Sequence, residues 1–414
     1  MYTFNLLLFE IGHGLWCNYL IINSLVIWTS FLIYSERIKK NNFEIMVAIN
    51  ATTITFFTSL LKITARIMKN KNLLLLIFAL FITVAANAQS DQEKPYVTKN
   101  FTSASLNELT VETTGGSIAV TGGQSNGFKV EMYIHPNNWN GKKELSKEET
   151  EDRLEDYDIL IGTRDNKVVA TAKRKTGVKW NNEKSISIGF KVYAPRAITT
   201  NLKTSGGSIK IASLTGTQNF TTSGGSLNVS DLEGIVRGRT SGGSIEVTNC
   251  RKDIELVTSG GSIKANGLKG RIDLKTSGGS ITLNSLNGEV EAHTSGGSVK
   301  GEDISGSLNA GTSGGSVRLA NISGSLRAST SAGSVEVSMA KLGDFLDLKS
   351  SAGSIRVTMP MEKGLDLNLR GNKVSIPLKN FDGSVEKDRV NGKMNGGGIP
   401  VTLSASSGSV YVNQ

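Results

Sequence analysis

The sequence predicts an all-β protein: a single-stranded β-helix or β-solenoid with 18-residue coils, preceded by a strand-rich segment with one short helix. Three observations carry this. The tetrad Thr-Ser-Gly-Gly, followed by Ser and an aliphatic residue, recurs every 18 residues from Thr204 through Thr222, Thr240, Thr258, Thr276, Thr294 and Thr312. A weakened copy, Thr-Ser-Ala-Gly-Ser, begins at Thr330 on the same register. So short a period leaves each unit unable to bury its own apolar face, so neighbours must stack into one continuous core. Second, apolar residues inside each period alternate with polar ones, which is the strand period and not the helical one. Third, glycines punctuate each period twice, as turns require.

With the threonine as position 1, position 6 holds Ile209, Leu227, Ile245, Ile263, Ile281, Val299, Val317 and Val335. Position 8 is mostly apolar, and position 11 holds Leu214, Leu232, Cys250, Leu268, Leu286, Ile304 and Ile322. Positions 15 and 17 are mostly apolar too, as in Ile272 and Leu274. Each repeat therefore reads as two short strands and two turns. Turn one is Thr-Ser-Gly-Gly, where glycine is expected to supply positive φ. Turn two closes on position 13, glycine in every regular repeat except at Lys252. Coils stacked at the inter-strand spacing rise about 4.8 Å each. A calcium β-roll would need aspartates in the turns, which here carry Ser and Thr. A left-handed hexapeptide helix would need an aliphatic residue every six positions, which these offsets fit poorly. A flattened or irregular β-helix without turn-bound calcium fits best.

Before the repeats, residues 89–203 form a strand-rich part with an inserted segment. Thr113-Thr114-Gly115-Gly116-Ser117-Ile118 is an early copy of the turn. Strand-like alternation follows at Phe128–Ile134, Val168–Ala172 and Ile186–Tyr193. A helix is expected over Ser146–Tyr157, opened by a capping box in which Ser146 caps and Glu149 reaches back. Its acidic run reads as a solvated helix face. The solenoid occupies 204–414, with looser C-terminal coils after Thr330 that suit an open end needing a cap.

Residues 68–88 read as a signal peptide: Met-Lys-Asn-Lys-Asn, an apolar run from Leu73 to Val84, then Ala86-Asn87-Ala88. Cleavage is expected before Gln89. Residues 1–67 ahead of it leave two readings open. Either the start is assigned too early and Met68 initiates, or residues 15–34 form a membrane segment. The chain carries 46 Lys plus Arg against 36 Asp plus Glu. With seven basic and three acidic residues in 1–88, residues 89–414 hold about +6. Both signs are interspersed, as at Lys210, Glu246, Lys264 and Glu336, with no basic stripe interleaved with aromatics, so nucleic-acid binding is not favoured.

The search for chemistry returns little. The histidines are His13, His135 and His293, and no G-x-S-x-G, HExxH, CxxC or P-loop pattern is present. No catalytic residue, cofactor or metal site is expected. Cys250, in the position 11 column, reads as a small buried hydrophobe. The Thr and Ser ladder at positions 1, 2 and 5 reads as a surface feature, with hydroxyls available to turn backbone or to an ice or glycan array. Trp139 is the weak candidate for a binding residue, as a sugar-stacking or loop-anchoring aromatic.

The repeated T-S-G-G-S-[IVL] turns, behind a signal peptide and a strand-rich segment ending in Val192-Tyr193-Ala194-Pro195, resemble the bacterial putative-adhesin β-strand-repeat family. That family is related to head-domain auto-transporter adhesins and is a domain of unknown function. The likeness covers about 100–414 and supplies no catalytic motif. It implies an exported, non-enzymatic solenoid in the periplasm, on the outer-membrane surface or outside the cell, in contact with an envelope or extracellular protein or glycan. The alternatives are a polysaccharide-active enzyme on a β-helix, which needs carboxylates gathered on one face, and an ice or glycan-array binder using the hydroxyl ladder.

Overall fold

The computed structural model describes residues 94–102, 105–137, 145–177 and 185–414. The leader 1–67, the signal peptide 68–88 and Trp139 lie outside the described residues. The described chain is the expected β-solenoid, about nine turns deep. Each regular coil has a short strand at positions 6–9, such as Ile263–Asn266, and a long strand running from position 12 to the next threonine, such as Lys269–Thr276. Like pairs with like in parallel register: Ile245 with Ile263 with Ile281 on one wall, Ile254 with Ile272 with Val290 on the other. The alternation in sequence thus becomes two walls whose inner rows meet in one continuous core from Leu106 to Val412. Volume is traded between coils: a Cβ on Gly238 would lie 2.2 Å from the Phe220 ring, which fills the space the glycine leaves. Gln218 in the position 15 row is fully buried, as is Thr200 beside it in the same row, and it is satisfied by Thr200 Oγ1 and the Ile198 carbonyl.

The turns correct the expectation for Thr-Ser-Gly-Gly. Its glycines do not adopt left-handed φ. The fourth position is glycine because the backbone of the previous coil is too near: a Cβ on Gly261 would sit 2.1 Å from the Gly243 carbonyl oxygen. The third position has room, with the nearest atoms of Gly260 at 3.5 Å, and Ala332 and Ala352 occupy it in later coils. Left-handed backbone lies instead in turn two. Position 13 has φ between 108° and 137° at Gly216, Gly234, Gly270, Gly288, Gly306 and Gly324, and Lys252 takes 89° there. A second left-handed site at position 10, held by Ser213, Asp231, Asn249, Ser285, Asp303 and Asn321, uses short polar side chains that tolerate this region.

The hydroxyl ladder is also corrected. The threonines of position 1 are buried, not on the surface. Thr258 Oγ1 donates to the Gly243 carbonyl at 2.8 Å and accepts from the Gly261 amide at 3.3 Å, and its equivalents repeat this. Ser244 at position 5 accepts from the Ser262 amide of the next coil. Positions 1 and 5 are therefore occupied with turn backbone, and an array of Thr and Ser hydroxyls facing solvent reduces to the serines of position 2.

The ends depart from simple winding. The early coil, strands Glu108–Thr113 and Ile118–Gly122, lies between Thr199–Ala212 on one side and Lys167–Arg174 with Ile186–Ala194 on the other, all parallel. Beyond them, antiparallel strands close the end: Tyr157–Arg164 on one wall, then Phe128–Pro136 and Val97–Phe101 on the other. Lys99, on the inward side of its edge strand opposite Val130, donates to the Ile161 carbonyl at 2.9 Å and joins the two edges. Helix α1 spans Lys147–Leu154 with the expected capping box, Ser146 Oγ to the Glu149 amide and Glu149 Oε2 to the Ser146 amide. It is shorter than expected because the chain enters the strand Tyr157–Arg164, whose consecutive Ile159-Leu160-Ile161 hid the strand period. The C-terminal end repeats the device. Val401–Ala405 and Val410–Asn413 lie between Leu346–Thr358 and Leu365–Ser375, and the hairpin Phe381–Met394 closes the end in antiparallel fashion.

Candidate binding surface

The period of 18 turns outward positions into rows, just as it does inward ones. Position 7, on the outer side of the short-strand wall, reads Lys210, Asn228, Glu246, Lys264, Thr282, Lys300, Arg318 and Glu336. All are exposed. On the long-strand wall, position 16 stacks Arg237, Glu255, Asp273 and Glu291. Carboxylates that look scattered in the sequence therefore do gather, because residues 255, 273 and 291 stand one period apart. Two of them are answered by cations. Arg239 reaches Glu255 at 2.9 Å, and Lys275 reaches Asp273 at 2.6 Å. The Lys275 ammonium is held above its ordinary range by the hydrogen bond it donates to Asp273. Exposed pairs of this kind each contribute about 0–1 kcal/mol.

At the N-terminal end, Glu131 is buried on the outer side of its strand. Burial alone would raise its carboxyl, but hydrogen bonds to Lys129 and Tyr133 outweigh it and hold the group below the ordinary carboxylate range. Tyr133 donates to Glu131 at 2.8 Å, and Lys191 lies 3.9 Å above the Tyr133 ring. Both tyrosine and lysine have further partners. Among the described residues, no group of three His, Cys, Asp or Glu side chains could hold a metal ion.

Cys250 fills the position 11 row as expected. It is fully buried, its Sγ donates to the Thr248 carbonyl at 3.4 Å, and burial pushes the thiol up to about 11. Of the histidines, His13 lies outside the described residues, and His135 stands on the end strand Phe128–Pro136. His293 stands in the position 18 row of the long-strand wall. Next to it is a shallow hollow of about 460 Å³, lined by Lys275, His293, Gly311, Ser329 and the position 2 serines Ser295, Ser313 and Ser331. The signal for it was present: Gly311 is one period on from His293.

The family model described as Toastrack DUF4097 matches residues 166–413, more than half of the chain. No curated protein matches. Two solved structures do. One, from Clostridium sporogenes, is described as a "putative cell adhesion protein"; it shares 11% identity at a TM-score of 0.17, over 78% of this chain and all of that one. The other, from Bacteroides fragilis, is described as a "putative adhesin"; it shares 14% identity at a TM-score of 0.24, over 63% of this chain and 96% of that one.

Proposed function

The chain belongs to the Toastrack DUF4097 family, and from that premise we propose an exported, non-catalytic solenoid that presents its outer rows to envelope or extracellular proteins or glycans. One observation supports it above others. The inner rows repeat the same few aliphatic residues, while the outer rows change from coil to coil, as at Lys210, Asn228, Glu246 and Lys264. The fold asks nothing of those outer positions beyond solubility, so they are free to specify contacts. The walls are continuous hydrogen-bonded parallel sheets, which lowers the ordering cost of binding. Among the described residues no helix is long and apolar enough to cross a membrane.

The test is co-sedimentation of the exported chain with isolated cell envelopes. Saturable binding is expected. Uptake that rises linearly without saturation would refute the contact role. The polysaccharide-active reading keeps one supporting observation, the stacked Glu255, Asp273 and Glu291. It is tested in the same samples, because release of new reducing ends by the chain would replace the scaffold reading with a catalytic one.

A further inference from the structure

We propose that the edge strand Tyr157–Arg164 pairs with the same strand of a second copy of this chain, antiparallel, about a twofold axis at Leu160. The inference goes beyond the contact-scaffold reading and does not depend on it. Among the described residues this strand has one partner strand, Lys167–Arg174, reached through a tight turn at Asp165 and Asn166, both left-handed. The Lys175 amide donates to the Asp156 carbonyl at 2.9 Å. The pair Asp156–Lys175 is therefore hydrogen-bonded, and antiparallel alternation assigns Asp158, Leu160, Gly162 and Arg164 to the same inner ladder. The amides and carbonyls of Tyr157, Ile159, Ile161 and Thr163 point to the open edge, as the bond from Lys99 to the Ile161 carbonyl shows. That carbonyl keeps a second lone pair for another strand.

The other outermost strands are too short to add a partner. Val97–Phe101 and Phe381–Val385 have five residues, and Val374–Ser375 has two. Tyr157–Arg164 has eight, in unbroken register, with two consecutive exposed apolar residues, Ile159 at 36% and Leu160 at 51%. Natural edges of that length are blunted by proline, by a bulge or by a charge on the inward side of the strand. This strand has no proline and no bulge, and its inward residues Ile159, Ile161 and Thr163 carry no charge.

The occupant follows from self-complementarity. With Leu160 opposite the partner's Leu160, Ile159 meets the partner's Ile161, Tyr157 meets the partner's Thr163, and Arg164 meets the partner's Asp156. Opposite charges thus face each other at both ends of the ladder, and the exposed apolar residues meet at its centre. The four edge-facing residues of each copy exchange both of their bonds, about eight hydrogen bonds in all. Leu160 and the partner's Leu160 form a non-hydrogen-bonded pair, the kind in which side chains stand closest. The contact is isologous, so it closes at two copies and leaves no further edge of this kind. The pair presents two sets of outer rows in one assembly.

Sedimentation of the exported chain over a wide range of concentration should show a reversible monomer–dimer equilibrium and no larger species. Thr163→Pro removes an amide that faces the edge and none that the ladder to Lys167–Arg174 uses, a position where an edge strand accepts proline. It should give a monomer with the unfolding midpoint kept. Leu160→Cys should form an intermolecular disulfide on mild oxidation, because the facing Cα atoms stand about 4.5 Å apart. Asp158→Cys, also exposed but roughly 14 Å from its mate, should not. The buried Cys250 stays out of both reactions. Arg164→Asp should weaken the dimer, and adding Asp156→Arg to it should restore the affinity. A chain that stays monomeric, species larger than two, a dimer that survives Thr163→Pro, or cross-linking at Asp158→Cys in place of Leu160→Cys would overturn the pairing. The scaffold reading would still stand or fall on envelope binding.

Discussion

Gly261→Ala set against Gly260→Ala tests how the coils approach one another. A Cβ on Gly261 would stand 2.1 Å from the Gly243 carbonyl oxygen, 2.4 Å from its carbon and 2.6 Å from the Ser244 nitrogen. Restoring a 3.4 Å contact asks for a shift of about 1.3 Å, and every neighbour involved is backbone. The same edge carries Gly260 N to Ser241 O at 2.8 Å and Thr258 Oγ1 to Gly243 O at 2.8 Å, and neither survives such a shift. Overpacking costs about 1–3 kcal/mol, and each lost hydrogen bond about 0.5–1.5 kcal/mol. A loss of roughly 2–6 kcal/mol is expected from those two sources together. Gly260→Ala meets its nearest atoms at 3.5 Å, an ordinary contact. It should be neutral or stabilise by up to about 1 kcal/mol through the unfolded chain. Guanidinium titration of the two variants measures the difference, and amide exchange over 241–280 shows whether the damage is local. Equal losses, or a larger loss at Gly260, would mean that the turn glycines are there for backbone freedom and that the stacking geometry is misread.

Ile263→Asp should lose several kcal/mol, because an unpaired charge enters a fully buried row, while exposed Lys264→Asp should stay within about 0.5 kcal/mol; unfolding midpoints in the reverse order would refute the register. The Cys250 thiol should resist alkylation in the native protein and react on unfolding, so rapid native labelling would count against its burial. Because its folded value lies near 11 against an ordinary 9.0, the neutral thiol is favoured by folding. Its contribution is complete below pH 9 and is lost as pH rises toward 11, and a Cys250→Ala variant should lack that alkaline component in unfolding titrations. Lys99→Ala frees the Ile161 carbonyl on an edge strand. Concentration-dependent aggregation should quicken with the midpoint nearly unchanged, and an unaltered rate would show that the end is closed by other means.

The inner rows were legible because the strand period and the 18-residue period are both exact properties of the sequence. Ile263, Leu268 and Ile272 could be assigned inward without coordinates, and all three are buried. The reasons behind the turn residues were not legible. Glycine at position 4 and glycine at position 13 look alike in sequence, yet one answers a close backbone and the other a left-handed φ. The position 10 site was hidden because Ser, Asp and Asn have many reasons to be in a loop. Outer rows were legible in principle by arithmetic alone. Adding 18 to 255 and to 273 finds the carboxylate stack, and adding 18 to 293 finds Gly311. What arithmetic does not give is the pairing that neutralises Asp273 or the lean of His293 over its neighbour.

The two ends explain how such a stack avoids fraying. In a one-dimensional array of repeats the terminal units have one neighbour and open first. Here the coils 108–122 and 399–413 are each covered by strands from elsewhere in the chain. Glu108 pairs with Lys167 and with Thr199, 59 and 91 residues away, while Ile245 finds its partner Ile263 18 residues on. Loop closure grows slowly with length, about 0.6 kcal/mol per doubling, so extending a contact from 18 to 91 residues costs only about 1.4 kcal/mol more. In return the coil 108–122 is held on both walls by parallel partners. Val401–Ala405 is held likewise between Leu346–Ser350 and Leu365–Arg370. What faces outward is an antiparallel strand of five to eight residues, or on one wall of the C-terminal end the two-residue parallel strand Val374–Ser375, and short edges limit further strand addition. The long-range pairings that contact order makes slow to form are thus concentrated at the places where local stacking alone would leave an open edge.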